Sequence, residues 1–252
     1  SGSSPGGQLG LTKLGTGVLT LTAVQAYTGD TLLSAGTLQM AVLNQLSPAT
    51  NVTVNSGATW SLAGFNQRVG SIASTSAGTI SLGSASLDVG GNNTDTTFSG
   101  AITGSGSLLK RGTGTLTFTT APTYTGTTTT TGGSLSPGAG ATITLPTTAS
   151  VTVGGGASLI FNTTSALTLS DGWISGAGQV VQRGSGTLTF NGANSYSGGT
   201  QLENGTVVIN TAAASAALGT GTVNVTGNAT LRTATSATAM TRALSNAFSI
   251  GT

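Results

Sequence analysis

Lys110-Arg111-Gly112-Thr113-Gly114-Thr115-Leu116-Thr117-Phe118 is followed by Tyr124-Thr125-Gly126-Thr127-Thr128 and then by Gly132-Gly133-Ser134-Leu135. The same three runs occur earlier as Lys13-Leu14-Gly15-Thr16-Gly17-Val18-Leu19-Thr20-Leu21, Tyr27-Thr28-Gly29-Asp30-Thr31 and Ala35-Gly36-Thr37-Leu38. They return as Gln182-Arg183-Gly184-Ser185-Gly186-Thr187-Leu188-Thr189-Phe190, Tyr196-Ser197-Gly198-Gly199-Thr200 and Asn204-Gly205-Thr206-Val207. One separation is shared by Gly17 and Tyr27, Gly114 and Tyr124, and Gly186 and Tyr196. A second is shared by Gly17 and Gly36, Gly114 and Gly133, and Gly186 and Gly205. Turns and packed positions that must superpose hold spacing this tightly, which is the mark of a stacked repeat architecture.

Working outward, each unit also carries a later element: Val52-Thr53-Val54, Val151-Thr152-Val153 and Val223-Asn224-Val225. Apolar residues alternate with Thr or Ser at Leu116/Phe118, Trp60/Leu62, Leu87/Val89, Leu159/Phe161 and Leu167/Leu169. That period of two predicts short strands with one face inside. Gly and Asn at the strand ends supply the left-handed conformations that sharp corners require. The alanine-rich residues 212–218 are expected to be a loop or one helical turn.

Together these features predict an all-β chain, a single right-handed parallel β-helix (β-solenoid) over residues 1–252. Its three units run from about 13–109, 110–181 and 182–252. The step from Gly15 to Gly112 is longer than the step from Gly112 to Gly184. The excess is about 25 residues, the size of one solenoid coil. Read as one added coil, this places extra chain between Leu62 and Phe98. Coils of roughly 24 residues would make about ten coils and a rod of roughly 50 Å.

Composition sets further bounds. Only 5% of residues are charged, with seven bases, five acids and a net charge of +2. About 25% charged is usual. Nucleic-acid recognition needs clustered Lys and Arg, which this chain does not have, so no nucleic-acid partner is expected. There is no Cys and no His, which removes disulfides, thiolate metal sites and histidine bases. No run of about 20 apolar residues occurs, so no transmembrane helix is expected in this chain.

No catalytic, cofactor-binding or metal-binding residue is predicted. The Gly-x-Gly pairs lack the spacing and context of a phosphate cradle. Gly2-Ser3-Ser4-Pro5-Gly6 has the form of a nucleophile elbow but no histidine base exists to serve it. Polysaccharide cleavage needs paired carboxylates; Asp30, Asp88, Asp95, Asp171 and Glu203 do not recur in register between units. Gly90-Gly91-Asn92-Asn93, beside Asp88 and Asp95, loosely echoes a calcium-binding repeat but occurs once, and reads as a solvated turn. Tyr27, Tyr124 and Tyr196 fall in register and are expected to pack at corners rather than stack sugars. Lys13, Lys110, Arg111 and Arg183 read as solubilising or turn charges. Asn51, Asn92, Asn162, Asn204, Asn224 and Asn228 open Asn-x-Ser/Thr triplets, as expected by chance in so Thr-rich a chain.

The Lys-x-Gly-x-Gly-x-Leu-x-Leu run, the Tyr-x-Gly-x-Thr run and the Gly-x-Leu run resemble the autotransporter-associated β-strand repeat, or passenger-associated transport repeat. Gln182 replaces the Lys in the third copy. Ile102-Thr103-Gly104-Ser105-Gly106 and Ile174-Ser175-Gly176-Ala177-Gly178 also resemble the element that precedes it. The resemblance implies an extracellular β-helical passenger of a Gram-negative bacterium, exported through an outer-membrane β-barrel and active in adhesion, aggregation or presentation of other domains. The expected function is a structural, non-enzymatic surface rod of filament, stalk or adhesin type. Its expected partners are further copies stacked head to tail, the rest of a longer passenger, or glycans of a cell surface or matrix. A carbohydrate-binding or polysaccharide-degrading β-helix is the alternative reading.

Overall fold

A computed structural model of the chain describes residues 9–140, 150–170, 172–211, 216–234 and 244–251. The Ser3 elbow, Asp171 and residues 212–215 of the alanine-rich stretch lie outside the described residues. No α-helix occurs among the described residues. Residues 217–218 form a turn.

The chain winds through three faces in fixed order. Face A carries Leu11–Lys13, Thr31–Leu33, Asn51–Val54, Ser71–Ala73, Thr96–Phe98, Thr115–Phe118, Ser134–Ser136, Ser158–Thr163, Gln179–Gln182, the first parts of Thr200–Ile209 and Val223–Thr233, and Phe248–Ile250. Ser74 N donates to Thr97 O at 3.2 Å and joins the first four strands to the rest. Face B carries Val18–Leu21, Gly36–Met40, Ala58–Ser61, Thr79–Ser81 and Ala101–Thr103, and later Leu167–Leu169, Thr187–Phe190 and the distal halves of the two long strands. Face C carries Gln67–Arg68, Ser86–Val89, Ser107–Lys110, Thr128–Thr130, Val151–Val153, Ile174–Gly176 and Ser195–Tyr196. Successive strands on a face pair in parallel. The fold is therefore a β-solenoid, as expected, and the strand spacings along face A give a rod of roughly 50 Å.

The core is a set of side-chain columns. On face B, Leu38, Trp60, Ile80 and Ile102 stack in register and all are fully buried. On face A, Leu116, Leu135, Leu159 and Val180 do the same. The intervening Thr and Ser residues point outward, which is why the sequence alternates.

The coil size corrects the expectation. Leu11 registers with Thr31, Thr31 with Val52, Thr96 with Leu116 and Leu159 with Val180. Most coils therefore hold about 20 residues, at the short end of the solenoid range. The longer steps on face A include Ala73 to Thr97, Leu135 to Leu159 and Val223 to Phe248. Nor are the units whole numbers of coils. The Gly-x-Leu-x-Leu strand of the first unit is on face B, that of the second on face A, and that of the third on face B again. The step from Gly15 to Gly112 covers four turns and two faces, and the step from Gly112 to Gly184 covers three turns and one face. The extra chain does lie between Leu62 and Phe98, but it adds four strands, Gln67–Arg68, Ser71–Ala73, Thr79–Ser81 and Ser86–Val89. The physical reason is that the three faces are equivalent as strand slots, so a unit can begin on any of them.

The fixed spacing of the repeat glycines has a direct cause. Gly36, Gly133 and Gly205 have φ of 68°, 57° and 71°. A Cβ on Gly36 would lie 2.5 Å from the carbonyl oxygens of Gly15 and Gly17. On Gly133 it would collide with Gly114 O, and on Gly205 with Gly184 O. The residue after each glycine donates to the preceding coil: Thr37 N to Gly17 O at 3.1 Å, Ser134 N to Gly114 O at 3.2 Å and Thr206 N to Gly186 O at 3.0 Å. The corners are in van der Waals contact through backbone alone. Gly133→Ala combines a left-handed backbone with this clash and is expected to cost well over about 1 kcal/mol. Gly57→Ala, with φ of 77° and nothing within 4 Å of the added methyl, is expected to cost only about 1 kcal/mol. Urea unfolding of the two variants checks the difference.

Candidate functional site

The residues that mark the repeat turn inward. Lys110 is 1% exposed and Gln182 is fully buried. Lys110 Nζ donates to Arg111 O at 2.6 Å, Gly112 O at 3.3 Å and, one coil on, Gly132 O at 3.4 Å. Lys13 Nζ donates to Gly15 O and Ala35 O. Gln182 Nε2 donates to Gly184 O at 2.7 Å and Gly186 O at 3.3 Å. These carbonyls belong to the close-packed glycine corner, which leaves them facing inward. Burial therefore corrects the reading of Lys13 and Lys110 as solubilising charges: each is a donor to a corner that would otherwise hold unsatisfied carbonyls. Desolvation lowers the Lys110 pKa, partly opposed by Asp95.

Arg111 and Arg183, the next residues along, do face outward. Arg111 Nε holds both Asp88 oxygens at 2.8 and 2.7 Å, and Arg183 pairs with Glu203 at 2.5 Å. Hydrogen bonding to Glu203 raises the Arg183 pKa.

The three tyrosines share one contact. Tyr27, Tyr124 and Tyr196 each bond the Thr one turn of the motif ahead (Thr31, Thr128 and Thr200) at 2.8, 2.5 and 2.7 Å. Tyr124 and Tyr196 are fully buried, and burial pushes both hydroxyls above the ordinary tyrosine range. Neither of these two rings is open to a sugar. This explains the Tyr-x-Gly-x-Thr run: a ring fills the coil and its hydroxyl needs a partner across the corner.

The carboxylates are dispersed. Asp30 accepts from Asn51 Nδ2 at 2.8 Å, Asp95 accepts from Thr115 N at 2.6 Å, and Asp88 and Glu203 sit in the ion pairs above. Gly90-Gly91-Asn92-Asn93 forms a corner, with Asn92 bonded to Asn51 and Asn93 accepting from Thr113 N. No group of three or more potential metal ligands occurs among the described residues.

Two features escaped the sequence reading. One is a column of buried amides near the amino end. Gln45 Nε2 donates to Leu21 O at 2.6 Å, its backbone N donates to Gln67 Oε1 at 2.8 Å, and Gln67 Nε2 donates to Val42 O at 2.8 Å. The near-coil spacing of Gln25, Gln45 and Gln67 was the available signal. The other is a surface groove of about 430 Å³ lined by Tyr27, Gln25, Asn44, Leu46, Pro48 and Arg68, among others. A second groove, of about 280 Å³, is lined by small residues and Gln179 and carries no charge or ring.

A parallel β-solenoid with buried Lys or Gln at glycine corners is the class of protein that this geometry defines. The passenger-associated-transport-repeat family matches residues 11–40, 108–136 and 180–209, and the chain carries three copies of that repeat. It is also 37% identical, over 130 residues, to an adhesin autotransporter, BmaC, of Brucella suis biovar 1 (strain 1330). The match covers 50% of this chain and 4% of the length of that relative. No solved structure matches the chain.

Two substitutions test the corner. Lys110→Gln imitates the third copy and is expected to stay within about 1 kcal/mol of the parent, whereas Lys110→Leu leaves buried carbonyls unpaired and is expected to cost about 1–3 kcal/mol. Because the folded-state pKa of Lys110 is depressed, its ammonium is lost earlier in the folded than in the unfolded chain, so the Lys110 contribution to stability rises as pH approaches 10.5, set against the loss that the raised Tyr124 and Tyr196 hydroxyls impose near pH 10. Lys110→Gln should lack that rise in denaturant titrations run from about pH 8 upward. Tyr124→Phe is expected to cost about 1–2 kcal/mol by stranding the Thr128 hydroxyl, read by the same titrations at neutral pH.

Proposed function

We propose that this chain is a rod segment of a surface-exposed, non-enzymatic adhesin of autotransporter-passenger type. Three passenger repeats built into one continuous parallel stack carry the reading, and the identity to a bacterial adhesin supports it. The location that follows is extracellular or on the bacterial surface. The rod's role is to hold a contact surface away from the cell, and stacked backbone ladders suit that role because each added coil lengthens the rod without altering its cross-section.

The reading extends to end-to-end stacking. At the ends of the described stack, Leu9, Leu14, Phe248 and Ile250 stand exposed, Ile250 to 78%. A further coil, from the same polypeptide or from a second copy, would bury such side chains and pair the outermost strands. The sparse charge of the chain offers little repulsion against this.

Display of the chain on a non-adherent bacterium is expected to confer binding to host cells or matrix. Display without any gain in adherence, at matched surface density, sinks the adhesin reading. Sedimentation of the purified chain should show elongated species that grow with concentration. A strict monomer at every concentration removes self-stacking and leaves the longer-rod reading.

A further inference from the structure

Two Asn-Gly pairs occur in the chain, Asn191-Gly192 and Asn204-Gly205, both in the third unit, and the fold holds them differently. In such a pair the glycine amide can swing onto the preceding side chain, because no Cβ stands in the way. Asn191 Oδ1 accepts from Asn210 Nδ2 at 3.0 Å, which ties this side chain to the next coil. Asn204 Oδ1 instead accepts from the N–H of Gly205 at 2.8 Å. The amide carbon of Asn204 is thereby kept beside the one backbone nitrogen that can close a ring on it. Keeping two reacting groups in contact removes the conformational search that otherwise slows a reaction of this kind.

The location favours the reaction further. Asn204 is exposed, so base, water and departing ammonia all have access. It stands where Thr200–Ile209 passes from face A to face B, and its ladder with Val223–Thr233 is already irregular between Leu202 and Asn204. A local change of backbone length is absorbed at such a point more readily than inside a regular ladder. Ala35 and Gly132 hold the matching positions of the other two units, so this amide is a feature of the third copy alone.

We infer that Asn204 is a site of self-modification, converted without an enzyme to isoaspartate and aspartate. Solvent hydroxide removes the Gly205 amide proton, and the Gly205 nitrogen forms a bond to Asn204 Cγ. The bond from Cγ to the side-chain nitrogen breaks, and that nitrogen leaves as ammonia after taking a proton from water. The product is a five-membered succinimide. Water then opens the ring at either carbonyl. Opening at the main-chain carbonyl of Asn204 leaves the chain running through the side chain, as isoaspartate; opening at Cγ leaves ordinary aspartate. In sum, one amide and one water become one carboxylate and one ammonium, with no change of oxidation state. The net charge of the chain falls by one from +2. The new carboxylate follows Glu203, the partner of Arg183, and turns a balanced ion pair into a net negative corner.

The test is peptide mapping by mass spectrometry, with isoaspartyl methyltransferase labelling, of the intact chain kept folded in mildly alkaline buffer and of the same chain unfolded in guanidinium chloride. In the folded chain, Asn204 should convert at least about tenfold faster than Asn191, because only its side chain is held against the reacting nitrogen. In the unfolded chain the two rates should lie within about threefold, since both pairs then sample similar local conformations. Asn204→Ala, which copies the first unit, should lose the early acidic form on ion exchange. Equal rates in the folded chain, a folded Asn204 slower than the unfolded one, or persistence of the early acidic form in Asn204→Ala overturns the proposal.

Discussion

Gly36 against the carbonyls of Gly15 and Gly17 is the contact on which the rest depends. Parallel strands cannot turn back on themselves; each must be carried round by connections that stay short enough for the next strand to land one spacing away. At this corner, two backbones touch with no side chain between them, so successive coils keep the hydrogen-bonding distance. The same contact recurs at Gly133 and Gly205. Close approach has a cost, because it turns peptide carbonyls toward the interior. Lys13, Lys110 and Gln182 answer it from the preceding strand, and the pairing of glycine corner with inward donor is what the repeat encodes.

An interior column of polar groups is therefore part of this solenoid's design. The Gln45 and Gln67 amides act toward the corner carbonyls as the lysine does elsewhere, and Asn194, which donates to Ala217 O at 2.9 Å and accepts from Ile174 N, serves the far end. Each of these side chains spans from one coil to the next. Apolar columns give the coils a common interior, but hydrophobic contact is non-directional; the amides and ammonium groups fix which carbonyl sits above which.

Much of this was legible in the sequence because it is periodic at short range. Leu116 and Phe118 alternate with Thr, and one fixed spacing joins each Gly-x-Gly pair to its partner glycine. The inward course of Lys110 was not legible, since a charged side chain ordinarily stays at the surface and one of its acceptors, Gly132 O, is in place only once the next coil is stacked. Coil length is overstated when the interval between copies is taken as whole turns, because the strands of Gln67–Arg68 to Ser86–Val89 add one turn and one further face. The groove was invisible for another reason: Tyr27 and Arg68 are far apart along the chain and meet only because the coils that carry them are stacked.

The movement of the repeat from face B to face A and back has a consequence for how such rods diversify. Since a unit can lengthen by single strand slots, gain or loss of a slot rotates everything beyond it by a third of a revolution while leaving the interior columns continuous. The azimuth of a surface feature can thus change independently of its position along the rod. Two rods of nearly equal length can present the same local surface in different compass directions, so that a contact made edge-on with one would be made face-on with the other.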